Sequence, residues 1–296
     1  MRFAMGRLPF EFSNASGWPK TPEGVAKLAA VSLTTRIHIG GFTVEPRLER
    51  GGGTDFDVLE DGTGANNRKL PNGGIPFLRA HGREMAQTAH DAGKELIMSG
   101  APASPKEDGI LAEWAFRIGA DGYVSSRSCP NTDCDIISYN HELMEAHDEA
   151  VAKAIGDRSW WRKLSPYANP KDREKEAELT RKSTARGVVA CNSFPGVRLR
   201  RAGKPIITAT GTNGLGGMSG TGAKYVALAN AEHFCELLNP FGLEVIGVGG
   251  IRTIQDIEDY LRVGCIGVKV GTELFRSEDP RVLQHLGEDW VLMYGS

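Results

Sequence analysis

Two short segments carry side chains suited to chemistry. Ser128-Cys129-Pro130-Asn131 follows directly on the apolar run Gly122–Arg127, and Lys163 lies inside a second apolar run, Trp161–Leu164. A thiol at the end of a strand can act as nucleophile, metal ligand or general base. The seven histidines form no His-x-x-x-His pair and the five cysteines no Cys-x-x-Cys pair, which disfavours a metal site. As a base, cysteine has an ordinary pKa of about 8.5, close to working pH. The plainer alternative is a buried structural cysteine. Lys163 is costly to bury unless it faces an anion or an electron-rich ring; otherwise it is a strand-end lysine reaching solvent. Asn66, Asn72, Asn131 and Asn192 fall in loops or just beyond apolar runs. Converging amides could bind a planar ring with alternating N–H and C=O groups, while each one singly suits a turn.

The elements that must position these groups are readable from the apolar pattern. Eight strand candidates occur: Phe10–Asn14, Leu33–Ile39, Glu95–Ser99, Gly122–Arg127, Trp161–Leu164, Gly187–Cys191, Glu244–Val248 and Gly267–Val270. Each is followed by a segment that can be helical. The clearest helix spans Thr253–Val263, with Thr253 as N-cap, Ile254, Ile257 and Leu261 on one face and Gly264 beyond its end. Thr21-Pro22 opens another, with Val25 and Leu28 inside. Eight strand-then-helix units predict a (β/α)8 barrel in one domain over 1–296; a doubly wound open sheet uses the same units. The stretches 41–76 and 196–222 break the alternation, and are expected as long βα insertions on the face where such barrels place chemistry.

Glycine makes up 37 of the 296 residues, where average usage of about 7% would give roughly 21. No G-X-Y period accompanies the excess, so collagen is excluded. Val248-Gly249-Gly250 and Val270-Gly271-Thr272 close the last two strand candidates. Glycine turns there let backbone N–H groups approach phosphate oxygens, although a Gly-Gly pair alone is also a tight turn. A P-loop is absent, and no Gly-x-Gly-x-x-Gly stands between a strand and a helix. The charge balance, 35 basic against 37 acidic residues, argues against a broad nucleic-acid surface. Apolar stretches are far shorter than the roughly 18 residues of a membrane helix, and the N-terminus lacks a signal-peptide core. These features set the expectation of a soluble, cytoplasmic protein acting on a small molecule.

The chain resembles class 1 dihydroorotate dehydrogenases, the soluble FMN-containing branch. Nine segments carry the likeness, in order: Ser13-Asn14-Ala15-Ser16-Gly17, Thr43-Val44-Glu45-Pro46-Arg47, Leu70-Pro71-Asn72, Ser128-Cys129-Pro130-Asn131, Lys163-Leu164-Ser165-Pro166-Tyr167, Asn192-Ser193-Phe194-Pro195-Gly196, Gly216-Gly217-Met218-Ser219-Gly220, Val248-Gly249-Gly250-Ile251 and Val270-Gly271-Thr272. The resemblance implies a (β/α)8 barrel with FMN at the strand C-termini. It implies that Ala15, Ser16 and Asn192 contact the flavin and that Lys163 neutralises its N1/O2 edge. Gly220, Gly249, Gly250, Gly271 and Thr272 would hold the phosphate. Cys129 would be the base at C5 of dihydroorotate, with hydride passing from C6 to the flavin. Asn66, Arg68, Lys69, Leu70, Asn131, Asn192 and Ser193 would hold the substrate. A homodimer is implied as well, and the electron acceptor stays open.

Two positions depart from the family. Its second active-site lysine falls on Gly40, and its asparagine three residues before the catalytic cysteine falls on Ser126. Arg36, Arg68 and Lys69 are the candidates to restore the missing charge. The run Thr132-Asp133-Cys134-Asp135 also lacks the family's Pro-Gly-Lys. These departures keep two other functions in view: a paralogous flavoenzyme acting on another cyclic imide or enone, and a flavin-binding protein without turnover.

Overall fold

The protein is described here by a computed structural model covering residues 8, 10–49, 51–128 and 136–295. All eight strand candidates are strands. Counted along the chain together with the inserted strands, they are β1 (Glu11–Asn14), β2 (Arg36–Phe42), β5 (Glu95–Gly100), β6 (Gly122–Ser126), β7 (Trp160–Lys163), β8 (Gly187–Ala190), β13 (Glu244–Val248) and β14 (Gly267–Val270). They close into a parallel barrel in the order β1-β14-β13-β8-β7-β6-β5-β2. The expected (β/α)8 fold is therefore the observed one, and the open-sheet alternative is excluded by closure. At β2 the strand runs later than its apolar pattern, because Thr34 is drawn into a turn: its Oγ1 donates to Val31 O at 3.1 Å and its carbonyl accepts from Lys94 Nζ at 2.9 Å.

Alternation along the strands separates two cores. Ile97, Val124, Trp161, Val189 and Ile246 fill the barrel interior, while a larger cluster packs the strands against the surrounding helices. The helices start where their caps predict. Thr253 and Asp256 form a reciprocal capping box before Ile254–Arg262. Thr21 Oγ1 accepts from Gly24 N at 3.2 Å before Pro22–Ala29. Among the described residues no helix is long and apolar enough to cross a membrane.

The two aperiodic stretches are not irregular loops throughout. They contribute β3 (Phe56–Val58), β4 (Thr63–Asn66), β9 (Phe194–Val197), β10 (Arg200–Arg201), β11 (Lys204–Pro205) and β12 (Gly216–Gly220). Four of these form an antiparallel sheet, β3-β4-β12-β9, that joins the insertion after β2 to the insertion after β8. Its central register sets Asn66 opposite Gly217 and Thr63 opposite Gly220.

Outside the barrel, a buried ionic network ties β6 and β7 to their helices. Asp108 accepts from Tyr123 Oη at 2.6 Å, Ser125 Oγ at 2.7 Å and His147 Nδ1 at 2.8 Å, and faces Arg127. Arg127 reaches Asp148 at 2.6 Å, and Arg162 links Asp148 to Glu176. Burial pushes the Arg162 guanidinium down to about 10, against the pull of Glu176. Arg127 stands at the end of β6, immediately before Ser128 and Cys129, so the network holds the strand that delivers the thiol segment. Removing one member of a buried pair strands the other charge, which costs about 3–5 kcal/mol. Asp108→Asn is expected to lower unfolding free energy by about that amount, read from urea denaturation; a loss under about 1 kcal/mol would mean that the network is not a stability determinant.

Candidate active site

A parallel barrel places every strand C-terminus on one rim, and the antiparallel insertion sheet lies over that rim. Between them is a cleft of about 190 Å³, far above the roughly 10–15 Å³ that admits a single water. Ala15 and Ser16 reach it from the end of β1, Lys163 from β7, and Asn192 and Ser193 from just beyond β8. Gly249 and Gly250 follow β13, and Gly271 and Thr272 follow β14. The insertions add Asn66, Arg68, Leu70 and Gly220. Residues read from scattered segments of the sequence thus converge on one cavity. Cys129 and Asn131 lie outside the described residues, as does Cys134. Lys69 is exposed and does not line the cleft.

One end of the cleft is built from backbone. Gly250 has φ +70°, and a Cβ there would come within 2.5 Å of Lys224 Cβ and 3.0 Å of Gly220 O. Gly220, at φ +64°, would place a Cβ 2.1 Å from Gly62 O. Substitution at either is excluded by both space and conformation. The helix Thr272–Ser277 starts at this end, with Gly271 as its N-cap. Its first N–H groups have no partner within the helix. Main-chain donors on glycines that tolerate close approach suit a multiply charged oxyanion.

The other end is polar and cationic. Lys163 Nζ reaches across the mouth to Ser16 Oγ at 3.5 Å, so this lysine faces the cleft. Asn66 Nδ2 donates to Gly217 O at 3.2 Å, and Asn192 Nδ2 donates to Ser128 O at 3.0 Å. The second contact draws the chain leading to Cys129 toward the lining. Asn72 has a different role: its amide bonds Thr43 Oγ1, Leu70 O and Gly74 N, which shapes the loop and leaves it out of the lining.

Of the three cations suggested to replace a lysine at position 40, Arg36 is corrected by the structure. It stands at the N-terminal end of β2, opposite the cleft, bound to Glu11 at 2.5 Å and to Glu95. Arg68 lines the cleft but is paired with Asp55 at 3.5 Å and lies over the Phe275 ring at 5.8 Å. The sequence reading passed over Lys20, Phe56, Arg252 and Phe275, which also line the cavity. Lys20 sat in what reads as a helix lead-in, Trp18-Pro19-Lys20-Thr21-Pro22, with no motif to mark it.

Beneath the cleft, Glu11, His38 and Lys269 form a buried cluster inside the barrel, with His38 Nε2 3.1 Å from Glu11 Oε1. Burial, then the charge of Lys269, pushes His38 down to about 4, so it is neutral at pH 7. Burial brings Lys269 down to about 8 even with Glu11 beside it. Burial alone would raise the Glu11 carboxyl, but Lys269, His38 and Arg36 together hold it below the ordinary carboxylate range.

Cys191 is the cysteine found in the described lining. Burial pushes its thiol up to about 12, against a smaller pull from Lys163, so it stays protonated at neutral pH. It is therefore a poor base and a poor nucleophile. Iodoacetamide at pH 8 is expected to leave Cys191 unmodified in the folded protein and to label it once unfolded, by peptide mass mapping. Rapid labelling in the folded state would show an accessible thiolate instead.

Known proteins resemble the chain in sequence and in fold. The family model described as dihydroorotate dehydrogenase matches residues 4–289. The catalytic subunit of dihydroorotate dehydrogenase B (NAD(+)) from Exiguobacterium sibiricum is 28% identical over 290 residues, covering 93% of this chain and 85% of that protein. The protein of the same name from Solidesulfovibrio magneticus is 32% identical over 203 residues, 63% of each chain, so that match spans less than two thirds of the relative's length. Among solved structures, DHODH from Eimeria tenella in complex with ferulenol superposes with a TM-score of 0.79 at 16% identity, covering 95% of this chain and 80% of that one, a likeness of fold.

Proposed function

The chain belongs to the dihydroorotate dehydrogenase family, and from that premise we propose that it is an FMN-dependent enzyme, one barrel domain, that oxidises dihydroorotate to orotate. The observation that carries this reading is the division of the cleft into a glycine-built backbone end and a cationic end with Lys163. The first fits a ribityl phosphate, held by Gly220, Gly249, Gly250, Gly271 and Thr272. The second would take the flavin ring, with Ala15 and Ser16 to hold it and Lys163 to neutralise its N1/O2 edge. When bound, FMN supplies the acceptor for the hydride that leaves C6 of the substrate.

The chain's own groups do the rest. Cys129 takes the proton from C5; Cys191 is held too protonated to compete for that role. The Asn192 amide, bonded to Ser128 O, fixes the residue that precedes Cys129 in the sequence. Asn66, Leu70, Asn131 and Ser193 hold the pyrimidine ring, and Lys69 reaches it only if its loop rearranges. A small-molecule substrate, a cytoplasmic setting and a homodimer complete the proposal.

A second reading, a paralogous enzyme for another cyclic imide or enone, is favoured by Gly40 and Ser126. At Gly40, φ +101° and a Cβ 2.3 Å from Ser99 O leave no room for any side chain.

Purified protein is expected to be yellow, and anaerobic dihydroorotate is expected to bleach it. Bleaching by a different dihydropyrimidine and not by dihydroorotate would select the second reading; a colourless protein that cannot be loaded with FMN would end both. Cys129→Ala is expected to slow flavin reduction by roughly 10²–10⁴-fold at pH 8 while FMN stays bound. An unchanged rate would remove Cys129 from the mechanism.

A further inference from the structure

The glycine-built end of the cleft offers an anion main-chain N–H groups, which carry no net charge. Arg252 brings a full charge to the same end. It follows Gly250 by two residues and lines the cleft together with Glu273. Its backbone is fixed by the cap of the helix Ile254–Arg262, because Asp256 Oδ2 accepts from Arg252 N at 2.9 Å as well as from Thr253 N at 2.8 Å. Its guanidinium is fixed by the insertion after β2, with Nη1 donating to Asp61 O at 2.9 Å. A Cβ on the neighbouring Gly62 would strike Arg252 Nη1 and Thr221 Oγ1. Thr63, next along the chain, pairs with Gly220. The arginine therefore stands where the rim, the insertion and the glycine turn meet.

Glu273 lies against it, and its two oxygens are unequal. Oε2 accepts from Arg276 Nε at 3.0 Å and from Arg276 Nη2 at 2.7 Å. Oε1 lies 2.9 Å from Arg252 Nε, yet it is buried and accepts no hydrogen bond among the described residues. Arg252 and Glu273 are thus in ionic contact without the aligned bonds of a bidentate pair. Arg276 keeps the carboxylate compensated when Arg252 serves a second anion, so the exchange strands no buried charge. A guanidinium carries five donors in a fork that matches phosphate oxygens, and the bond to Asp61 O uses one of them.

We propose that Arg252 is a phosphate-binding residue that selects a phosphorylated flavin over an unphosphorylated one, with Glu273 as the internal anion from which the phosphate draws it. The inference rests on the FMN reading above, but its test separates the two. Protein freed of flavin is titrated with FMN and with riboflavin, followed by flavin fluorescence, for the parent, Arg252→Met, Arg252→Lys and Glu273→Gln. Arg252→Met is expected to weaken FMN by roughly 10- to 100-fold, the range for a lost charged hydrogen bond, with riboflavin unchanged within about twofold. Arg252→Lys, which keeps the charge, is expected to lose less. Glu273→Gln removes the competing anion and is expected to tighten FMN by roughly two- to fivefold, the worth of a partly exposed ion pair, again with riboflavin unchanged. FMN binding unchanged in Arg252→Met overturns the proposal. An equal loss of FMN and riboflavin also overturns it, because that is the signature of a structural role, and weaker FMN binding in Glu273→Gln overturns the exchange. If the parent binds neither flavin, while inorganic phosphate raises its Tm above that in chloride at equal ionic strength and Arg252→Met abolishes the rise, the flavin reading fails and the Arg252 assignment stands. No flavin binding and no phosphate effect overturns both.

Discussion

At Gly220 the main chains of the two insertions approach so closely that one added carbon would sit 2.1 Å from the Gly62 carbonyl oxygen. The same closeness recurs at Gly216, 2.9 Å from Asn66 O, and at Gly217, 2.4 Å from Ser193 Oγ. The barrel provides a rim, but a rim is open. The cleft exists because β4 and β12 can lie against each other and against the residues after β8 with nothing between them. Asn66, Gly220 and Ser193 are held in the lining by that contact. The glycine excess therefore serves two ends: close approach of a ligand to backbone, and close approach of backbone to backbone.

Charge is distributed so that the cleft stays cationic while the interior is balanced. Lys269 lies under the floor with Glu11 beside it, and Lys163 above it adds to the cost of its charge. His38 is driven neutral rather than adding a further cation. On the outer side of the barrel, Arg127 and Arg162 are matched by Asp108, Asp148 and Glu176. Among the described residues, Lys20, Arg68, Lys163 and Arg252 face the cleft, the two arginines with carboxylates beside them.

The barrel was legible because its strands bury both faces and so read as short β-branched runs, as in Gly187–Ala190 and Glu244–Val248. The ends of the last two strands were legible for the same reason, with glycine punctuating each. The insertion sheet was not. Thr-Gly-Ala-Asn at 63–66 and Gly-Gly-Met-Ser-Gly at 216–220 carry almost no β propensity, since their pairing is selected for slimness rather than for side-chain packing. Arg36 misled because strand parity says which face a residue takes but not which end of the barrel it occupies. Lys20 was invisible because no motif marks it, and only the fold brings it into the lining near Gly40.

The insertion sheet has a kinetic consequence. Its ladder pairs residues 63–66 with residues 217–220, partners separated by about half the chain. Such contacts carry a large loop-closure cost and gain little until their ends are already neighbours. The two insertions become neighbours through assembly of the barrel strands that carry them, with β1 meeting β14 to seal it. Pairing of the cover is accordingly expected to follow barrel assembly, which would make the site beneath it a late product of folding. Acquisition of a ligand at this cleft reports that the whole chain has reached its final topology.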